Sequence, residues 1–170
     1  MRIYLAGPDV FRPDAAAYGR WLKAQCARHG LQGVFPFDTD EEAGAGRQGM
    51  DAAQAICRAN LALIDEVDAV MANLEPFRGQ EPDSGTVFEI GYAHARGKPV
   101  WVYTPHASPL AERVAAGADG HGPVDARGWR VEDFGLPLNL MIACTATVVA
   151  GDADECLRRI ATHVRGGGAP

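Results

Sequence analysis

The chain has 170 residues, a formal net charge of −6 and 47% hydrophobic residues, which is the size and composition of one globular domain. Phosphate backbones are bound by clustered Lys and Arg, and the sequence contains no basic run, so no nucleic-acid partner is expected. Its apolar stretches are too short to span a bilayer, so no membrane partner is expected either.

The pattern of residues predicts strands that alternate with helices along the chain. Residues 2–6 are β-rich and end at Gly7-Pro8, which predicts a strand and then a turn. Asp14 can cap the helix that follows. The later predicted elements are a helix over 15–29, a strand over 31–37, a loop over 39–49, a helix over 50–66, a buried strand over 69–74, a loop over 75–83, a helix over 84–96, a strand over 99–103, a mostly irregular segment over 106–134, a strand over 145–149 and a helix over 153–164.

This alternation predicts an α/β fold, a single-domain three-layer sandwich of the flavodoxin or Rossmann type with a mainly parallel five-stranded sheet. The domain covers residues 1–165, and the Gly-rich residues 166–170 predict a disordered tail. Ligands of such sheets bind at the carboxyl ends of the strands. That rule selects residues 7–13, residues 74–89 and the end of the fourth strand.

Four cysteines, Cys26, Cys57, Cys144 and Cys156, are far apart, and no Cys or His spacing suits zinc. We therefore expect buried, reduced thiols, no metal and no cofactor, and we expect a cytoplasmic protein. The N-terminus predicts a strand and not a signal peptide. Residues 44–49 match G-x-G-x-x-G, but they do not follow the first strand directly, so we interpret them as a loop and not a dinucleotide site.

Two carboxylates lie at the start of the predicted helix over 84–96. Asp83 precedes this helix, and Glu89 lies roughly one to two turns inside it, among apolar neighbours. A charged Glu89 near a helix N-terminus suits a nucleophile, and Asp83 in a looser loop suits a proton shuttle. Retaining glycosidases use such a pair. The residues alone leave open a capping Asp83 and a solvated Glu89.

The chain resembles the nucleoside 2-deoxyribosyltransferase family in four separated pieces, of which the third is long and specific. The pieces are Tyr4-Leu5-Ala6-Gly7-Pro8 with Val10-Phe11 and Pro13-Asp14; Asn60 with Asp68-Ala69-Val70; Asn73-Leu74 through Pro76-Phe77-Arg78-Gly79, Glu81-Pro82-Asp83-Ser84-Gly85-Thr86 and Phe88-Glu89-Ile90-Gly91-Tyr92; and Phe134-Gly135-Leu136-Pro137 with Asn139-Leu140-Met141.

The resemblance implies a pentosyltransferase of nucleotide salvage that exchanges the base of 2′-deoxynucleosides, with free nucleobases as the other substrates. It implies that Glu89 is the nucleophile of a retaining reaction through a deoxyribosyl–glutamate, that Asp83 bonds and protonates the base, and that Tyr4 positions the nucleophile. The substrate-binding residues that it implies are Gly7, Phe11, Asn60, Gly85, Asn139 and Met141.

The resemblance also implies a homo-oligomer, because Asn139 and Met141 match residues that enter the site of a neighbouring subunit. Two other functions stay open at this point. One is a 2′-deoxynucleoside 5′-monophosphate N-glycosidase, a hydrolase, and the other is a nucleoside-binding module without catalysis. Residues 8–13 contain an Asp and no Ser or Thr, which favours an uncharged 5′-hydroxyl over a phosphate.

Overall fold

A computed structural model describes residues 1–36, 38 and 45–167. A one-turn 3₁₀ helix, Pro8–Phe11, follows the first strand. The strands are β1 (Arg2–Ala6), β2 (Gln32–Val34), β3 (Ala69–Asn73), β4 (Val100–Thr104), β5 (Gly117–Asp119), β6 (Gly122–Val124) and β7 (Thr147–Ala150). The α-helices are α1 (Ala15–Arg28), α2 (Gly49–Glu66), α3 (Ser84–Ala95), α4 (Leu110–Val114), α5 (Leu140–Ala143) and α6 (Ala153–Arg165).

The predicted fold class is confirmed by the main sheet. Its five strands run in the order β2-β1-β3-β4-β7, and every neighbouring pair is parallel. This is the 2-1-3-4-5 order of the flavodoxin-like fold when the strands of this sheet are counted along the chain. Tyr4, in an interior strand, lies beside Val34 of β2 and Val70 of β3.

The sheet separates two hydrophobic cores, because successive strand residues point to opposite faces. On one face, Ile3 and Leu5 pack with residues of α1 and α6. On the other face, Tyr4 and Ala6 pack with residues of α2 and α3, including Ile90. The phenol of Tyr4 is thereby directed toward the helix that carries Glu89.

The prediction that residues 106–134 are mostly irregular is confirmed, although the segment contains three short elements that were not predicted. Helix α4 begins after Pro109, and β5 pairs with β6 in an antiparallel hairpin. The backbone N–H of His121 donates to Oδ1 of Asp119 at 2.8 Å, and this Asp turn closes the hairpin. The Gly and Asp content suggested irregular chain, but Asp119 pairs with Gly122 across a two-residue loop, Gly120-His121, and short loops that contain Gly are typical of hairpins.

The prediction that all four cysteines are buried is wrong for two of them. Cys26 and Cys156 are buried, whereas Cys57 and Cys144 are exposed, and all four are free thiols. Burial raises the pKa of Cys26 to about 11 and that of Cys156 to about 12. Within the described part of the chain, no helix is both long enough and apolar enough to cross a membrane.

Some predicted bounds differ from the observed ones. The second strand ends at Val34, because Phe35 leaves the sheet and its N–H donates to Asp38 Oδ2 at 3.0 Å; residue 37 of the predicted strand lies outside the described residues. Of the predicted loop and tail, residues 39–44 and 168–170 lie outside the described residues. Residues 166 and 167 form a turn after α6.

Candidate active site

A cleft with a volume of about 300 Å³ lies at the carboxyl edge of the sheet, on the side of α2 and α3. Ligand cavities in proteins start at about this size. Residues four apart share a face of a helix, so α2 presents Ile56 and Asn60 while α3 presents Gly85 and Glu89. The lining residues are Gly7, Val10, Phe11, Pro36, Ile56, Asn60, Asp83, Gly85, Thr86 and Glu89.

Glu89 is held by a phenol that comes from the core of the sheet. Oη of Tyr4 donates to Oε1 of Glu89 at 2.7 Å. Tyr4 is 0% exposed, so its ring is fixed by packing and this hydrogen bond fixes the direction of the carboxylate. Glu89 is half-buried. The alternative of a solvated surface Glu89 therefore does not describe this residue.

Asp83 caps α3 and also lines the cleft. Its Oδ2 accepts from the N–H and from the hydroxyl of Thr86, each at 2.9 Å. Within the described residues, no hydrogen bond reaches Oδ1 of Asp83. The capping alternative is correct, and it leaves one carboxyl oxygen for a ligand because both cap bonds use the other.

Asn60 places an unsatisfied acceptor at the cleft. Its Oδ1 is buried and has no hydrogen-bond partner among the described residues. A buried acceptor without a partner costs about 1–3 kcal/mol, so such atoms usually have a ligand or a water to bond. A hydroxyl group of a bound molecule would satisfy this oxygen.

At two glycines that line the cleft, Gly7 and Gly85, a side chain would crowd a neighbouring residue. A Cβ at Gly7 would lie 2.8 Å from Cβ of Asn73, so β1 and β3 can approach at this point only because residue 7 has no side chain. A Cβ at Gly85 would lie 3.1 Å from Oδ2 of Asp83. Gly85 therefore keeps the capping carboxylate undisturbed.

Two of the predicted substrate-binding residues, Asn139 and Met141, lie outside the cleft. The lining of the cleft, among the described residues, does not include Asn139 or Met141. Asn139 caps α5, where its Oδ1 accepts from the N–H of Met141 at 3.0 Å and its Nδ2 donates to Glu132 Oε2 at 2.9 Å. The side chain of Met141 is 67% exposed.

The cleft is acidic. Its described lining contains the carboxylates of Asp83 and Glu89 and no Lys, Arg or His. The side chain of Asp9, which the sequence placed near the ligand, bonds Asn73 and lines a separate cavity behind the 3₁₀ helix. Among residues 1–36, 38 and 45–167, no group of three or more His, Cys, Asp or Glu is arranged to hold a metal ion.

Comparison with known proteins assigns the family. Residues 3–141 match the family described as nucleoside 2-deoxyribosyltransferase. The chain belongs to this family. Its members are enzymes that act on N-glycosidic bonds, with deoxynucleosides and nucleobases as substrates.

Solved structures and a curated relative are similar to the chain. A 2-deoxyribosyltransferase from Leishmania mexicana superposes with a TM-score of 0.76 and 34% identity, over 95% of this chain and 97% of that one. A conserved protein from Enterococcus faecalis V583 gives a TM-score of 0.55 and 26% identity, over 94% and 98%. An uncharacterised protein of Schizosaccharomyces pombe is 37% identical over 113 residues, which are 66% of this chain and 54% of that protein. The match thus spans about half the length of that curated relative.

Proposed function

We propose that the protein is a nucleoside 2-deoxyribosyltransferase that exchanges nucleobases through a covalent deoxyribosyl ester of Glu89. The observation that carries the proposal is the 2.7 Å bond between the buried phenol of Tyr4 and Glu89, in a cleft that also holds Asp83. A carboxylate held in one direction beside a second carboxyl group is the arrangement that retaining glycosyl transfer requires.

The first half-reaction breaks the bond between the sugar and the base. A carboxylate oxygen of Glu89 attacks C1′, the electrons of the C–N bond pass to the base, and Asp83 delivers a proton to the departing base. A sugar without a 2′-hydroxyl tolerates positive charge at C1′ better, so a nucleophile and one proton donor suffice. A second base then attacks C1′, releases Glu89 and returns the proton to Asp83.

The sugar is held by hydrogen bonds on the polar side of the cleft. Asn60 Oδ1, which is buried without a partner, would accept from a sugar hydroxyl. Asn139 and Met141 do not line the cleft of their own chain, and the family resemblance implies that they enter the cleft of a neighbouring subunit. We therefore propose a homo-oligomer as the active form.

The charges of the cleft favour nucleosides over nucleoside 5′-monophosphates. A phosphate near Asp83 and Glu89 would be repelled, and no cationic side chain stands among the described lining residues to compensate. The free thiols also fit the reducing cytoplasm, where we place the reaction as a step of nucleotide salvage.

The test is base exchange in a phosphate-free buffer. Deoxyinosine and free adenine should yield deoxyadenosine, and a slow substrate analogue should add the mass of one deoxyribosyl group to the peptide that contains Glu89. If product forms only when phosphate is added, the enzyme acts by phosphorolysis and not by the proposed mechanism. Faster hydrolysis of deoxyguanosine monophosphate than of deoxyguanosine would make the enzyme a hydrolase, and binding without turnover would make it a binding module.

A further inference from the structure

Arg78 adopts a backbone conformation that is unusual for its residue type. Its φ is 55°, and among the described residues no other residue except glycines has a positive φ. The N–H of Phe77 donates to the carbonyl of Glu81 at 3.0 Å, which closes the loop between β3 and α3 around Arg78. A long side chain in the left-handed region is strained, so something other than local preference holds this loop conformation.

The strained loop places a cation against two aromatic rings. The guanidinium carbon of Arg78 lies 4.6 Å from the ring centroid of Phe77 and 5.3 Å from that of Phe11. The two rings are stacked, with centroids 5.3 Å apart and an angle of 17° between their planes. Cation–π contacts at exposed sites are weak, and the strain of Arg78 offsets a gain of that size. The cluster therefore adds little to the stability of the fold.

The cluster instead supports one wall of the cleft. Phe11 lines the cleft, and 56% of its surface is exposed although Phe77 and Arg78 contact it. A large apolar ring that is held in place and still open on its ligand side suits a flat aromatic ligand, because such rings stack. A nucleobase is the flat part of the substrates proposed above.

Phe11 is among the substrate-binding residues that the family resemblance implies, and we propose that Arg78 and Phe77 are positioning residues that hold its ring against the nucleobase. This proposal rests on the proposed function for the identity of the ligand, but not on turnover. Without the guanidinium, the ring of Phe11 is less restrained, so the base binds more weakly while the attack of Glu89 on C1′ is little changed.

Arg78→Gly separates this role from a purely structural one. Glycine adopts positive φ without strain, so the variant should keep or raise the Tm. At the same time, its KM for deoxyinosine should rise about fivefold, the size of a lost cation–π contact, with kcat changed less than about twofold. Arg78→Lys keeps the cation and should restore most of the loss. Phe77→Leu keeps apolar volume, removes the ring and should also raise KM.

Binding measurements keep this test independent of catalysis. Calorimetry of adenine and deoxyinosine with the wild type, and with Arg78→Gly and Arg78→Lys, needs no turnover, so it gives a result even if base exchange is absent. Arg127→Gly is the matched control, since Arg127 is exposed and lies away from the cleft. Unchanged KM and Kd in Arg78→Gly would overturn the positioning role, and a lower Tm with the same Kd would assign the cluster to stability alone.

Discussion

Two cavities of equal volume, each about 300 Å³, lie at the carboxyl edge of the sheet on opposite sides of the 3₁₀ helix Pro8–Phe11. Both contain carboxylates and aromatic rings. Val10 and Phe11 face the cleft that holds Glu89, whereas Asp9 and Arg12 face the other cavity. Neither their volume nor the sign of their net charge distinguishes the two cavities.

The hydrogen bonds distinguish them. In the second cavity the polar groups satisfy one another: Nδ2 of Asn73 donates to Asp9 at 3.1 Å, Oδ1 of Asn73 accepts from the N–H of Glu75 at 3.1 Å, and Arg12 pairs with Asp14 at 3.0 Å. In the cleft, Asn60 Oδ1 has no partner within the described residues. Incomplete hydrogen bonding, more than volume, therefore marks the site where a ligand belongs.

The largest effect on the rate of base exchange is expected when the nucleophile is removed. Glu89→Ala should lower the rate of base exchange at least about 10⁴-fold, because no covalent ester can form. Asp9→Asn, in the other cavity, should change this rate less than about threefold. Rates of deoxyadenosine formation measure both. Equal losses in the two variants would contradict the assignment of the cleft as the active site.

Asp83→Asn should lower the rate of exchange about 10²- to 10³-fold for a base that is a poor leaving group. The amide can still accept from Thr86 and cap α3, but its N–H is far too weak an acid to protonate the departing base. An activated base that leaves without protonation should lose much less. Equal losses for both kinds of base would show that Asp83 serves only the helix.

Tyr4→Phe should lower kcat about 10- to 100-fold, the size of one hydrogen bond to a charged group. The ring still fills the core, so the Tm should change little. Kinetics and thermal unfolding of the same preparation test this. An unchanged kcat would mean that packing alone directs the carboxylate of Glu89.

The smallest expected effect is that of Asp9→Asn on the free energy of unfolding. Burial raises the pKa of Asp9, although the hydrogen bond from Asn73 opposes the shift. Because the folded-state pKa lies above the unfolded one, ionised Asp9 destabilises the fold at neutral pH, and this cost vanishes below the unfolded pKa. Asp9→Asn should therefore be more stable than the wild type at pH 7, with a smaller advantage toward about pH 4. Urea unfolding at both values checks the sign.

The alternation of strands and helices predicted the fold class, because buried parallel strands such as β3 are continuous apolar runs. The rule that ligands bind at the carboxyl edge of a parallel sheet selects the segments of Gly7 and Glu89 from the sequence alone. Periodicity did not predict the hairpin of β5 and β6, since three-residue strands are too short to show alternation.

The residue patterns could not predict contacts between residues that are far apart in the sequence. The contact between Tyr4 and Glu89 spans 85 positions and depends on which face of β1 meets α3. The family resemblance implied that Tyr4 positions Glu89, whereas the strand pattern alone gives this tyrosine no role. The strained Arg78 and its stack on Phe11 had no sequence signal, because positive φ at an arginine depends on the closed loop.

Tyr4 lies in the middle of an interior strand, apart from the turns at the edge of the sheet. The site therefore has two parts whose residues can be varied separately. The direction of Glu89 is set by the sheet, whereas the walls around the base are shaped by the turns over residues 8–11 and 75–82, which do not include the proton donor Asp83. Mutant libraries confined to those turns should therefore recover new base preferences without disturbing the chemistry. Libraries that reach into β1 should mostly return inactive chains.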